Sequence, residues 1–129
     1  MHLAEQHADI NDVTEKIIRC VYRVSNTLGA GFLEKVYENA LAIELEQSGL
    51  RVQQQLPIRV LYKGQVVGDF AADLLVEDRV IVELKAARTL DEVHAAQCVN
   101  YLRALDLNLC LLVNFGRSRA VIKRILRDY

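Results

Sequence analysis

Val80-Ile81-Val82-Glu83-Leu84-Lys85-Ala86 is the stretch on which the reading of this chain turns. A short, nearly continuous apolar run is typical of a strand covered on both faces, yet this one carries an acid and a base. Strand alternation puts residues i and i+2 on one face, so Glu83 and Lys85 project the same way at the carboxyl end. Just upstream, Glu77-Asp78-Arg79 reads as a turn, preceded by a strand over 65–77 in which Asp73 interrupts Phe70-Ala71-Ala72 and Leu74-Leu75-Val76. The turn brings that strand back alongside residues 80–85 and sets Asp73 beside Glu83 and Lys85. Two carboxylates with one ammonium suit Mg²⁺ or Mn²⁺, since a hard cation takes one or two carboxylates, keeps waters and accepts phosphate oxygens. A lysine there can orient or deprotonate the attacking water and neutralise charge developing on phosphorus. The same residues also fit a plain Glu83–Lys85 ion pair at a strand end, and the sequence leaves both readings open.

Outward from this centre, residues 52–62 form a strand joined to 65–77 by a turn at Lys63-Gly64, and Pro57 marks it as an edge strand. Upstream, Ile10, Val13, Ile17, Val21, Val24 and Leu28 recur at helical spacing over 10–28. Gly29-Ala30-Gly31 interrupts the pattern, and a second helix runs from about Phe32 to Gln47, closed by Ser48-Gly49. Downstream, Thr89-Leu90-Asp91-Glu92 reads as a capping box opening a helix to about Leu105. Leu107 to Val113 is a second buried strand, ended by Asn114-Phe115-Gly116, and Ala120 to Leu126 is the last strand. The order α-α-β-β-β-α-β-β predicts a mixed α/β sheet flanked by helices, one domain over residues 1–129. Within it, 80–86, 89–105 and 107–113 form a right-handed parallel crossover.

Composition narrows the function classes. Of 129 residues 52% are hydrophobic and the net charge is −1, which excludes a disordered chain. No apolar run approaches the roughly 20 residues that span a bilayer. Glu5, Asp9, Asp12 and Glu15 break the first twenty residues, so no secretory signal is readable there. Cys20, Cys98 and Cys110 sit far apart among apolar neighbours and read as buried free thiols of a reducing compartment, ahead of a disulfide or zinc site. A cytoplasmic protein is expected. A pI near 6.3 argues against a broad grip on nucleic acid. The charge is uneven, however: residues 1–50 hold eight acids and four bases, whereas Arg117, Arg119, Lys123, Arg124 and Arg127 face no acid within 117–127. That strip is either a solvated strand edge or a contact for phosphates. A P-loop, a dinucleotide fingerprint and a Ser/His/Asp arrangement are absent, and Gly29-Ala30-Gly31 follows a helix, so it cradles no phosphate in the known ways.

Polar residues on the helices are less decisive. Glu34 aligns with Tyr37, Leu41 and Leu45 at the margin of the apolar stripe, as a boundary acid or as a carboxylate aimed at the active end of the sheet. Glu44 lies deeper and needs a partner if buried. On the third helix His94, Gln97 and Tyr101 share a face with Leu90, Cys98 and Leu105. They tie helix to sheet or belong to the site, and His94 reads first as a core or boundary histidine.

Asp73, nine residues, then Glu83-Leu84-Lys85 resembles the D…ExK signature of the PD-(D/E)XK nuclease superfamily, the restriction-endonuclease-like fold. Gly31-Phe32-Leu33-Glu34-Lys35-Val36-Tyr37 fits G-x-x-E-x-x-Y, which names the small bacterial GxxExxY family. Residues 80–86, 94–102 and 111–116 also resemble that family, in order, so the likeness covers roughly 10–126. It implies Asp73 and Glu83 as metal ligands, Lys85 as the catalytic lysine and Glu34 as an accessory acid. Gln97 and Tyr101 resemble the Gln-x-x-x-Tyr element that some of these nucleases place beside the metal. Ala72 stands where the superfamily name has Pro, a backbone difference rather than a chemical one. The implied function is a Mg²⁺-dependent nuclease on DNA, as a homodimer or with a partner. Arg117, Arg119 and Lys123 would lie on backbone phosphates, and Tyr37, His94 and Tyr101 would be accessory. The rival is a catalytically silent binding or assembly module, favoured by the near-neutral charge and by the scarcity of stacking side chains (no Trp, three Phe).

Overall fold

Asp9 opens the first helix by accepting a hydrogen bond from the Asn11 amide at 2.9 Å, the ordinary device for an orphan N–H. A computed structural model describes residues 9–127; Glu5, with the rest of the first eight, lies outside them. Helix α1 (Ile10–Leu28) buries Val13, Ile17, Cys20, Val21 and Val24 and stops at Gly29, whose φ of 67° a side chain would resist. Helix α2 (Glu34–Gln47) starts two residues later than its apolar pattern suggests. The reason is Tyr37, whose hydroxyl donates to the Gly29 carbonyl at 2.6 Å and accepts from the Phe32 amide at 3.2 Å, holding the chain before α2 non-helical.

Five strands follow: β1 (Val52–Tyr62), β2 (Gln65–Val76), β3 (Val80–Lys85), β4 (Leu109–Asn114) and β5 (Val121–Leu126). They lie in the order β1-β2-β3-β4-β5. All neighbours are antiparallel except β3 and β4, which run parallel with Val82 opposite Leu111. Pro57 therefore sits on an edge strand, as its missing N–H requires. Helix α3 (Glu92–Leu105) makes the parallel crossover. It starts three residues after the expected Thr89 because the cap is Asp91: its side chain accepts from the Val93 amide at 2.9 Å while His94 Nδ1 accepts from the Asp91 amide at 3.2 Å. Strand β4 likewise begins at Leu109, not Leu107, because the left-handed Asp106 ends the helix and the Leu107 amide is spent on the Leu102 carbonyl.

The sheet is covered on both faces. Helices α1 and α2 pack Ile17, Tyr37, Leu41 and Leu45 against Leu74, Val82, Leu84 and Leu111. Helix α3 packs Cys98 and Leu102 against Ile58, Ala72, Ile81 and Leu112. All three cysteines are buried and free. Among the described residues, no helix is long and apolar enough to cross a membrane. One departure from regular sheet positions everything below. Strand β2 pairs with β3 only from Leu74 to Val76, so residues 56–72 of β1 and β2 continue alone as a two-stranded arm.

Candidate active site

The β2–β3 ladder stops one step short of Asp73 and Glu83, and their carboxylates fill the opening. The Asp73 amide donates to Glu83 Oε1 at 2.8 Å, and the Leu84 amide donates to Asp73 Oδ2 at 2.8 Å. Each acid is thus held by the other strand's backbone, which fixes both without using a cation. Glu83 is 4% exposed. Burial first, and the Asp73 charge second, push it up to about 8, against the opposing pull of the Asp73 amide and of Lys85. Burial raises Asp73 as well, opposed by the Leu84 amide and reinforced by the charges of Glu38 and Glu34. Lys85, half-buried on the same sheet face, lowers Glu83 through its charge but makes no ion pair with it among the described residues. The strand-end ion pair is therefore not what this chain builds. Two desolvated, mutually repelling carboxylates without a paired cation form the donor set a hard divalent ion prefers. No group of three or more His, Cys, Asp or Glu able to hold a metal occurs among the described residues. An ion held by two carboxylates leaves its other positions to water and phosphate.

The end of β3 is clamped from β4. Asn114, 1% exposed, accepts from the Ala87 amide at 3.0 Å and donates to the Ala87 carbonyl at 2.9 Å. Its Oδ1 also takes the Gly116 amide at 2.9 Å, and Phe115 N–H donates to the Lys85 carbonyl at 2.8 Å. A Cβ at Gly116 would lie 2.1 Å from the Ala87 oxygen, so only glycine lets the two backbones meet there. On the helix side, Glu38 is buried and receives Lys35 Nζ at 3.0 Å, Gln54 Nε2 at 2.7 Å and Gln55 Nε2 at 2.6 Å. Gln55 reaches on to Asp73 Oδ1 at 3.4 Å. From α3, Gln97 Nε2 donates to the Tyr101 hydroxyl at 2.9 Å; burial, then the Glu83 charge, raises the Tyr101 phenol.

The family model of the PD-(D/E)XK nuclease superfamily matches residues 11–125. The chain belongs to that superfamily. No curated protein matches it. Among solved structures it is similar to an alkaline exonuclease from Laribacter hongkongensis, with 15% identity and a TM-score of 0.55 over 97% of this chain and 74% of that one. It is also similar to the protein SSO0001, with 17% identity and a TM-score of 0.56 over 74% of this chain. The chain spans half the length of SSO0001. At these identities the likeness is one of fold. PD-(D/E)XK nucleases usually use divalent metal ions, and the Asp73–Glu83 donor set suits one.

Within this PD-(D/E)XK frame the structure gathers Asp73, Glu83 and Lys85, with Gln97 and Tyr101 on the covering helix. Glu34 is exposed at the start of α2, close enough for its charge to raise both acids. The buried acid of that helix is Glu38, one turn on, which the sequence reading passed over. Tyr37 is fully buried, stacked on Phe115 at 4.6 Å with its hydroxyl on Gly29, so it anchors the loop before α2. His94 caps α3, its Nδ1 accepting from the Asp91 amide. The basic strip divides. Arg117 and Lys123 line a small cleft with Arg88 and Asn114, whereas Arg119 lies over the Tyr22 ring, 4.9 Å from its centroid. Arg124 donates to Thr14 and Arg127 pairs with Asp106. Strand β5 is a sheet edge, which agrees with the solvated-edge reading for part of the strip. Arg88 had no sequence signal, since it lies between elements; Asn114 had one, in the string that ends a buried strand.

Proposed function

We propose that this chain is a divalent-metal-dependent nuclease of the GxxExxY type that hydrolyses phosphodiester bonds in DNA, as a single domain acting in the cytoplasm as a homodimer. The observation that carries the reading is the reciprocal capture of backbone amides by Asp73 and Glu83 at the open end of the β2–β3 ladder, with Lys85 unpaired on the same face. In this reading Asp73 and Glu83 hold the ion, Mg²⁺ or Mn²⁺, which when bound supplies Lewis acidity at the scissile phosphate. Lys85 orients the attacking water and offsets charge on the phosphate oxygens. Glu38, through Gln55, positions Asp73; Gln97 and Tyr101 border the site from α3; Arg117 and Lys123 meet flanking phosphates. The shared fold with the Laribacter hongkongensis alkaline exonuclease supports this reading.

The test is Mn²⁺ binding by calorimetry together with cleavage of labelled DNA, for wild type, Asp73→Ala and Glu83→Ala. Binding and cleavage lost in both variants support the proposal. Cleavage retained in Asp73→Ala sinks it. The rival reading, a silent module, has one observation in its favour: among the described residues no third His, Cys, Asp or Glu joins the two carboxylates in a metal-holding group. A wild type that neither binds Mn²⁺ nor cuts DNA would favour that module.

A further inference from the structure

Between the two-stranded arm and α3 runs an open groove of about 880 Å³. Its lining includes Ile58 and Phe70 from the arm and Gln97, Asn100, Tyr101 and Arg103 from α3. We propose that this groove seats unpaired nucleotides of the substrate strand, with Phe70 as the stacking platform and Arg103 against the phosphates. The proposal rests on the nuclease reading above and names its substrate class: single strands, overhangs and flaps rather than uninterrupted duplex.

Four observations carry it. The groove and the candidate active site share a wall, since Gln97 and Tyr101 line the groove while the charges of Glu83 and Asp73 both act on the Tyr101 hydroxyl. Phe70 stands three residues from Asp73 on the same strand, so a base stacked there lies a short reach from the carboxylates. Second, the lining holds Arg103 and Arg59, the latter paired with Asp69 at 3.7 Å, and no Asp or Glu, in a chain whose net charge is −1. Its charge complements a polyanion. Third, Phe70 is 49% exposed, with its inner edge against Tyr101 at 6.1 Å between centroids. A Cβ at residue 68 would come within 2.8 Å of the Phe70 ring, so Gly68 makes room for the ring to lie back along the arm. Fourth, the amides of Gln97 and Asn100 offer both donors and acceptors to the edge of a base. Bases inside a duplex have their faces covered by neighbours, so only an unpaired base presents the surface that an aromatic ring can stack on.

The test is the equilibrium binding of a fluorescent oligothymidine of about 20 nucleotides, against a blunt duplex of equal length, without divalent ions so that nothing is cut. Wild type should bind the single strand more tightly than the duplex. Phe70→Leu, which keeps apolar bulk and loses the aromatic face, should weaken single-strand binding roughly tenfold, and Phe70→Tyr should restore it. Arg103→Ala should flatten the log–log salt dependence by about 0.7, one phosphate contact. Ile43→Ala, an exposed apolar side chain on α2, is the control and should change nothing. Equal binding by wild type and Phe70→Leu, or tighter binding of duplex, overturns the proposal. So does a wild-type dimer in sedimentation that Phe70→Leu dissociates without altering oligonucleotide affinity, which would make the groove a self-association surface. Phe70-dependent binding without cleavage in Mn²⁺ keeps the subsite and removes the nuclease reading. Cleavage with Phe70-independent binding does the reverse.

Discussion

Strand β3 sends Val80, Val82 and Leu84 toward α1 and α2, and Ile81, Glu83 and Lys85 toward α3. The first face is apolar throughout, closed by Ile17, Tyr37, Leu41 and Leu45. The second has a smaller core around Ile58, Ile81, Cys98 and Leu112, next to two desolvated acids and an open groove. The comparison teaches that a strand with a period of two can serve stability on one side and chemistry on the other without compromise, because adjacent residues never share an environment. A polar residue placed on the wrong face would bury an unpaired charge, whereas on the α3 face the strand end opens to ligands and solvent.

If the division holds, substitutions on the two faces should separate cleanly. The largest effect belongs to the α3 face: Asp73→Ala or Glu83→Ala should lower metal-dependent cleavage by about three orders of magnitude or more, measured in single-turnover assays, with the fold retained. A melting temperature that collapses instead would break the comparison. On the other face, Leu41→Ala should cost about 2–5 kcal/mol in urea denaturation while activity per folded molecule stays unchanged.

A third test uses pH. Glu83 keeps its proton to about 8 in the folded state against an ordinary 4.5 for a free glutamate, so the native protein binds more protons than the unfolded chain between those values. The Glu83 contribution to metal-free stability should therefore be fully present below about 4.5 and be lost as pH rises to about 8, with a slope of up to about 1.4 kcal/mol per pH unit. Melting curves across this window should show Glu83→Gln losing that slope. The smallest effect sharpens the role of a residue in the first turn of α3: His94→Ala should cost about 1 kcal/mol of stability by uncapping the helix and leave cleavage unchanged.

Much of this was legible in advance, for identifiable reasons. The strands and the Asp73–Glu83–Lys85 grouping follow from alternation interrupted by charge, which a buried strand does not tolerate without cause. Glu38 was hidden because its partners are Gln54 and Gln55, which read as solvent-facing amides. Gln55 adopts a φ of 53°, and the alternation of β1 changes face there: Gln54 reaches α2 while Leu56 and Ile58 pack under α3. Nothing in a glutamine announces that conformation. The start of α3 was misplaced because two capping strings overlap, Thr89…Glu92 and Asp91…His94, and the second uses an imidazole where the usual pattern has Glu or Gln.

The amides of Asp73 and Leu84 are each bonded to a carboxylate oxygen rather than to a carbonyl. Their proton and nitrogen resonances consequently read out the ionisation of Glu83 and Asp73 directly. In an isotope-labelled sample, a titration of pH or of divalent ion would move these two peaks ahead of the rest of the sheet. The fold thus carries its own spectroscopic indicator at the place where its chemistry is proposed, with no dye or tag attached.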